Sequence, residues 1–354
     1  MATSSLHIRH VNLARQFRGG ERQTVLLMKA LAEHSDVTQS LVCRRDSPMR
    51  DELSDDGIDF IDAGHQLAGH FSGPRTNVVH AHEAKAVHWA FVHSLLHDAP
   101  YLLTRRVPQP VKETVFNRWT YRRAACGVAI SSVIEQHLRA RRWSHVERIP
   151  SALSHLPHDP QGIDALRGRF AGRRVIGHIG ALVDRHKGQR LLIEAARRLR
   201  ADYPDVVFLL LGQGDDEVAL KRESADLDNI VWEGFRHNIG DYLAIMDLFV
   251  FPSRNEGLGS TLLDVMDYDV PIIASHVDGI PDIVIDDETG ILIPPNDVTA
   301  LTNAIGSLLD QPGYGSRLAE TARQRLSLFT PEAMADAYLS LYHRILTHDH
   351  RNTR

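Results

Sequence analysis

Cysteine is scarce: Cys43 and Cys126 are the only two in 354 residues. They stand far apart without metal-ligand spacing, which argues against a cysteine-based metal site and makes a reduced, cytoplasmic setting the expectation. Long hydrophobic runs are missing as well, and Met1 to His10 shows no basic segment followed by an apolar run. A soluble or peripheral chain is therefore expected. Excess charge of one sign is also small, at a formal −5, which gives no general reason to expect a nucleic-acid partner. What is present is 43% hydrophobic content, enough for two ordinary domains with buried cores.

Short apolar runs alternate with helical patterns along the chain. Strands are expected at 6–12, 37–42, 58–63, 77–80, 101–104, 127–130 and 146–149, with helices at 21–34, 84–96 and 132–141 between them. A second strand series is expected at 175–180, 206–211, 230–233, 248–251 and 272–274. Successive βα units imply parallel, doubly wound sheets, so the fold class is α/β. Two sheets need a boundary, and 150–164, with three prolines and few aliphatic residues, is the expected linker. This gives an N-terminal domain over 1–164, a second domain over 165–330, and a final helix at 331–348.

The most informative stretch runs from Phe251 to Met266. It places a carboxylate (Glu256), two glycines (Gly257 and Gly259) and a hydroxyl (Ser260) between an apolar strand and a helix expected to begin near Thr261. Unpaired N–H groups at that helix start would face the loop, which is a geometry suited to phosphate. Glu256 and Asp264 frame the site and can accept hydrogen bonds from sugar hydroxyls.

The run Glu256-Gly257-Leu258-Gly259-Ser260-Thr261-Leu262-Leu263-Asp264 resembles the Glu-x7-Glu signature of retaining GT-B glycosyltransferases of family 4, with the second Glu shortened to Asp. Upstream, Ile176 to Gly188 resembles the family's strand, basic loop and Lys-Gly step. Leu209-Leu210-Leu211-Gly212-Gln213-Gly214, Val231 to Phe235, Pro271 to Ser275 and Gly290 to Pro295 follow in the family's order. The resemblance implies two Rossmann-like domains with a cleft between them, the first for the acceptor and the second for a nucleoside diphosphate sugar, with the final helix packing back on the first. It implies no cofactor beyond the donor and no bound metal.

Carried over residue by residue, the resemblance assigns Lys187 to the leaving diphosphate, where developing charge needs cations and N–H groups. The family commonly has an arginine where this chain has Ala181; Arg185 either substitutes for it or is a surface residue. Glu256 falls on the carboxylate associated with the transferred sugar and Asp264 on the one that binds ribose. Leu258, Gly259 and Ser260 would offer N–H groups to the donor, and Gly257 and Gly259 permit close approach. Gly212 and Gly214 would line the nucleotide side. Gly19 and Gly20 either bring donor phosphates or acceptor close to a helix start or form a plain tight turn.

His80 and His82 alternate on a strand and could meet one ion, but no third ligand is identifiable from sequence. The resemblance instead puts His82 beside the acceptor. Many relatives have Thr-x-His where this chain reads Thr104-Arg105-Arg106, so Arg106 takes the histidine's place, which suggests an anionic group held by arginine. A basic stretch from Arg105 to Arg148, interleaved with Phe116, Trp119, Tyr121 and Trp143, reads either as a surface for an anionic membrane or lipid-linked acceptor or as a solvated face with its aromatics turned inward. The expectation is a glycosyltransferase acting on a glycan or lipid-linked hydroxyl acceptor, possible in bacterial surface glycan or lipopolysaccharide synthesis. A GT-B epimerase or hydrolase, or an inactive nucleotide-sugar-binding subunit, are the alternatives.

Overall fold

The structure, a computed structural model, describes residues 6–352, with side chains as far as residue 347. Residues 1–5, on which part of the N-terminal reading falls, lie outside the described residues. The chain forms two compact units: one runs to Ala152 and resumes at Phe329, and the other is Leu153–Leu328.

The first unit holds β1 (Leu6–Val11), β2 (Val37–Cys43), β3 (Asp59–Asp62), β4 (Val78–Ala81), β5 (Tyr101–Arg105), β6 (Cys126–Ala129) and β7 (Val146–Arg148). They form one parallel sheet in the order β3-β2-β1-β4-β5-β6-β7. The second unit holds β8 (Arg174–Ile179), β9 (Val206–Leu211), β10 (Ile230–Gly234), β11 (Leu248–Phe251), β12 (Ile272–Ser275) and β13 (Ile291–Ile293), again parallel, in the order β10-β9-β8-β11-β12-β13. Strand order reverses at β1/β4 and at β8/β11. Doubly wound sheets leave a crevice for ligands outside the carboxyl ends of the strands at such points.

Central strands covered on both faces become continuous apolar runs, and β9, Val-Val-Phe-Leu-Leu-Leu, is buried along its whole length. The helix Gln189–Leu199 covers its sheet with Leu191, Leu192, Ala195, Ala196 and Leu199. In the first unit Ile8, Leu27, Val78 and Leu102 share a core with Ala335, Tyr338 and Tyr342. Those last three come from the helix Pro331–Asn352, whose Met334, Tyr338, Leu341 and Ile345 repeat at helical spacing, so this helix packs on the first unit.

Two sequence expectations shift. β13 was not expected as a strand, because three residues are too short for a periodic signal. The expected linker is also largely ordered on the second unit. Ser154 N–H donates to Asp264 Oδ1 (2.7 Å), Tyr268 O–H donates to the Leu156 carbonyl (2.7 Å) and Asp159 N–H donates to Asp241 Oδ1 (2.6 Å). Pro160 opens the helix Pro160–Arg169, capped by Asp159; a proline read as linker is here a helix start.

Candidate active site

In the second unit, β8 runs into a short helical turn, Asp184–Lys187, closed by Gly188 at φ +68°. A Cβ at Gly188 would stand 2.2 Å from the Pro252 carbonyl oxygen. Only glycine lets the Lys187 turn lie against the loop that follows β11. Arg254 pins the same approach: its N–H donates to the His186 carbonyl (2.7 Å) and its guanidinium reaches Asp184 Oδ2 (2.9 Å). Burial pushes the Asp184 carboxyl up. Hydrogen bonds from the Arg190 backbone and from the Arg254 and Arg190 side chains outweigh this and hold it below its ordinary value.

These constraints bring Lys187 and Glu256 together as a direct ion pair between Nζ and Oε1, with the side chains 21% and 13% exposed. Lys187 Nζ also lies 5.1 Å from the centre of the Phe251 ring, within cation–π reach. Glu256 Oε1 accepts from Ser253 Oγ (3.4 Å), and Glu256 N–H donates to Asp278 Oδ2 (2.9 Å). His178 Nδ1 lies 3.0 Å from the Val250 carbonyl, and burial pushes its imidazole down to about 4, so it stays neutral.

The remaining donor-side expectations are distributed around this pair. Leu258 is buried, Gly257 and Ser260 are half-buried, and Gly259 takes φ +84° just before the helix Thr261–Asp267. Gly212 and Gly214 are spacers within the chain: a Cβ would stand 1.9 Å from the Gly180 carbonyl oxygen at the first and 2.5 Å from that of Leu182 at the second. Their contribution is to bring the loops after β8 and β9 together. Asp264 is 9% exposed and its Oδ1 holds the Ser154 N–H, so it also fastens the start of the unit. Arg185 is exposed and joins no ion pair among the described residues, and the structure does not bring it to Glu256. Sequence reasoning missed Asp184, Arg254 and Asp278. The first two lie in or beside quoted motifs, whereas Asp278 carries no local signal.

In the first unit, Gly19 and Gly20 open the helix Gly19–Ala32. Nothing lies within 4 Å of a Cβ built on Gly19, and one on Gly20 would be 3.6 Å from Arg106 Cδ. The third imidazole that sequence did not identify is His10, on β1. His10, His80 and His82 are all buried, with ligand atoms within 4.8 Å of one another. His10 Nδ1 pairs with His82 Nε2 (2.9 Å), while His80 is bonded to Tyr342 O–H (2.7 Å) and Thr104 Oγ1 (2.7 Å). Burial pushes His10 down to about 3 and holds His80 and His82 well below their ordinary value. Both His80 nitrogens, His10 Nδ1 and His82 Nε2 are committed to one another, to Thr104 or to Tyr342, leaving only His10 Nε2 and His82 Nδ1 without a partner, and beside the Arg106 cation this set fits a metal ion poorly.

The basic stretch divides. Tyr121 and Trp143 are buried, and Arg139, Arg141 and Arg148 pair with Glu135 or Glu113. Val115, Phe116 and Trp119 stand exposed on the helix Val115–Arg123 with Arg118 and Arg122, which join no ion pair among the described residues.

A family profile described as "Glycosyl transferases group 1" matches residues 173–311, which hold the Lys187–Glu256 pair. The chain is 26% identical over 293 residues to a glycogen synthase of Mycobacterium tuberculosis, covering 76% of this chain and 69% of that protein. It is 29% identical over 229 residues to a GDP-mannose-dependent alpha-(1-6)-phosphatidylinositol monomannoside mannosyltransferase of Mycolicibacterium smegmatis, covering 58% of this chain and 59% of that one. The crystal structure of Anabaena HepE in complex with UDP and glucose superposes with a TM-score of 0.81 at 18% identity, over 96% of this chain and 100% of that chain, and so shares the fold. Residues 173–311 thus resemble the group 1 glycosyl transferases, and the chain is a glycosyltransferase of the GT-B fold, an enzyme that transfers a sugar from a nucleoside diphosphate sugar to an acceptor.

Proposed function

We propose that this enzyme transfers a hexosyl unit to the hydroxyl of a glycan or lipid-linked acceptor with retention of configuration and without a divalent metal. The Lys187–Glu256 pair at the β8/β11 end carries this reading. An arriving donor diphosphate competes with Glu256 for the Lys187 ammonium and releases the carboxylate toward the sugar. Lys187 then balances charge on the departing phosphate, and Glu256 steadies the oxocarbenium-like sugar. Glu256 is paired with Lys187, and Asp278 spends an oxygen on the Glu256 N–H. In this reading Glu256 is an electrostatic stabiliser, and neither carboxylate is assigned as a covalent nucleophile. A front-face route follows: the bond from C1 to the phosphate oxygen breaks with its electron pair going to phosphate. The acceptor oxygen bonds to C1 on the same face, and its proton passes to the departing phosphate.

A glycan acceptor is supported by the glycogen synthase relative and a lipid-linked one by the phosphatidylinositol mannoside relative. No described helix is long and apolar enough to cross a membrane. The exposed Phe116 and Trp119 beside Arg118 and Arg122 support docking on an anionic bilayer, at the inner face of the plasma membrane. Vesicle binding should then weaken as salt rises; equal binding to neutral and anionic vesicles would remove this part. A thermal-shift panel of UDP, GDP, ADP and CDP identifies the base. Transfer should survive exhaustive EDTA treatment with an unchanged anomeric configuration by NMR. Complete loss restored by Mg²⁺ or Mn²⁺ would overturn the metal-free reading.

A further inference from the structure

Resting on the reading that the chain glycosylates an acceptor, we propose that its first unit selects an anionic sugar, binding a carboxylate or phosphate through Arg106 beside the helix Gly19–Ala32. Arg106 follows β5, next to the point where strand order reverses at β1/β4. Its side chain passes Gly20 at the start of that helix, with Arg106 Cδ 3.6 Å from where a Cβ would stand, an ordinary packing distance. Arg106 Nε is fully enclosed with no partner among the described residues, and the hydrogen bond its side chain makes there is a long 3.5 Å contact from Nη1 to Ser151 Oγ. No carboxylate among the described residues forms an ion pair with it. Glu21, the acid whose charge Arg106 feels, spends its Oε2 on the Arg18 N–H (3.0 Å).

The other neighbours supply no negative charge. His80 and His82 are buried and neutral, and the Tyr338 hydroxyl is bonded to Thr104. His82 itself is 2% exposed with Nδ1 lacking a partner. A part-buried cation without a counter-ion is costly, and a guanidinium fork presents paired donors that match a carboxylate or phosphate. The surrounding chain adds to the pull. Arg15, Arg18 and Arg22, in the loop after β1 and the first helical turn, are exposed and join no ion pair among the described residues, so they raise the local concentration of anions.

The test uses ligand-observed NMR on the full chain at low salt, with glucuronate and glucose 6-phosphate as probes and glucose as the neutral control. At least one anionic sugar should bind about tenfold or more tightly than glucose, the preference shrinking as salt rises. Which of the two binds better assigns carboxylate or phosphate. Arg106→Met should abolish the preference while changing UDP and GDP affinity less than about twofold. Equal binding of glucose and both anionic sugars overturns the proposal, and this comparison on the unaltered protein decides the matter even if Arg106→Met does not fold. Parallel loss of nucleotide and anionic sugar in Arg106→Met also overturns it, because the arginine would then serve the donor diphosphate. Nucleotide binding and transfer that persist without any anionic preference reject this inference and leave glycosyl transfer standing.

Discussion

Lys187 and Glu256 form an ion pair, so substituting either should have separable consequences. Lys187→Met removes the cation proposed for the diphosphate and should weaken nucleotide binding by about 2 kcal/mol, some thirtyfold. Asp264 behaves differently because it serves the fold as well. Asp264→Asn keeps an acceptor for the Ser154 N–H and should cost about 1 kcal/mol of stability. Asp264→Ala leaves that N–H unpaired and should cost about 2 kcal/mol, both measured by urea unfolding. Equal stability of the two variants would show that the Ser154 bond contributes little.

Glycine at two loop ends, Gly188 and Gly212, decides whether the elements of the second unit meet. Gly188→Ala combines φ +68° with a Cβ 2.2 Å from a carbonyl oxygen, and Gly212→Ala, at φ +134°, would meet one at 1.9 Å. Each should lower stability by about 2–4 kcal/mol, whereas Gly19→Ala, which meets nothing within 4 Å, should be nearly neutral. A thermal melt of the three variants checks the ranking. At this scale the sequence was legible wherever periodicity was strong: both parallel sheets and the motif loop between β11 and its helix followed from apolar runs and turn residues. It was not legible where partners are distant in the chain. Nothing near Asp278 announces that it receives the Glu256 N–H, and nothing near His10 announces His82. The expected linker does contain the boundary between Ala152 and Leu153, but its prolines carry no sign of the carboxylates that order most of the segment on the second unit. Gly212 and Gly214 were read toward a ligand, but their open faces are filled by the loop after β8.

Across the whole molecule the buried histidines are unevenly shared. His10 and His93 are pushed down to about 3 by burial, with His80 and His82 also lowered in the first unit, whereas His178, lowered to about 4, stands alone in the second. A histidine whose folded pKa is depressed contributes stability that is fully present above its unfolded value near 6.5. It loses about 1.4 kcal/mol per pH unit as pH falls from there toward the folded pKa. The first unit should therefore open first in acid, seen as faster amide exchange there than in the second unit between about pH 6.5 and 4; uniform exchange would contradict this. The proposed mechanism rests on one division of labour in the second unit, and calorimetric UDP and GDP titration beside turnover of Glu256→Gln tests it most directly. Nucleotide affinity should hold or rise, because Lys187 loses its competitor, while kcat falls about a hundredfold or more. Loss of nucleotide binding with turnover retained at saturating donor would contradict the assignment of Glu256 to the sugar and Lys187 to the phosphate.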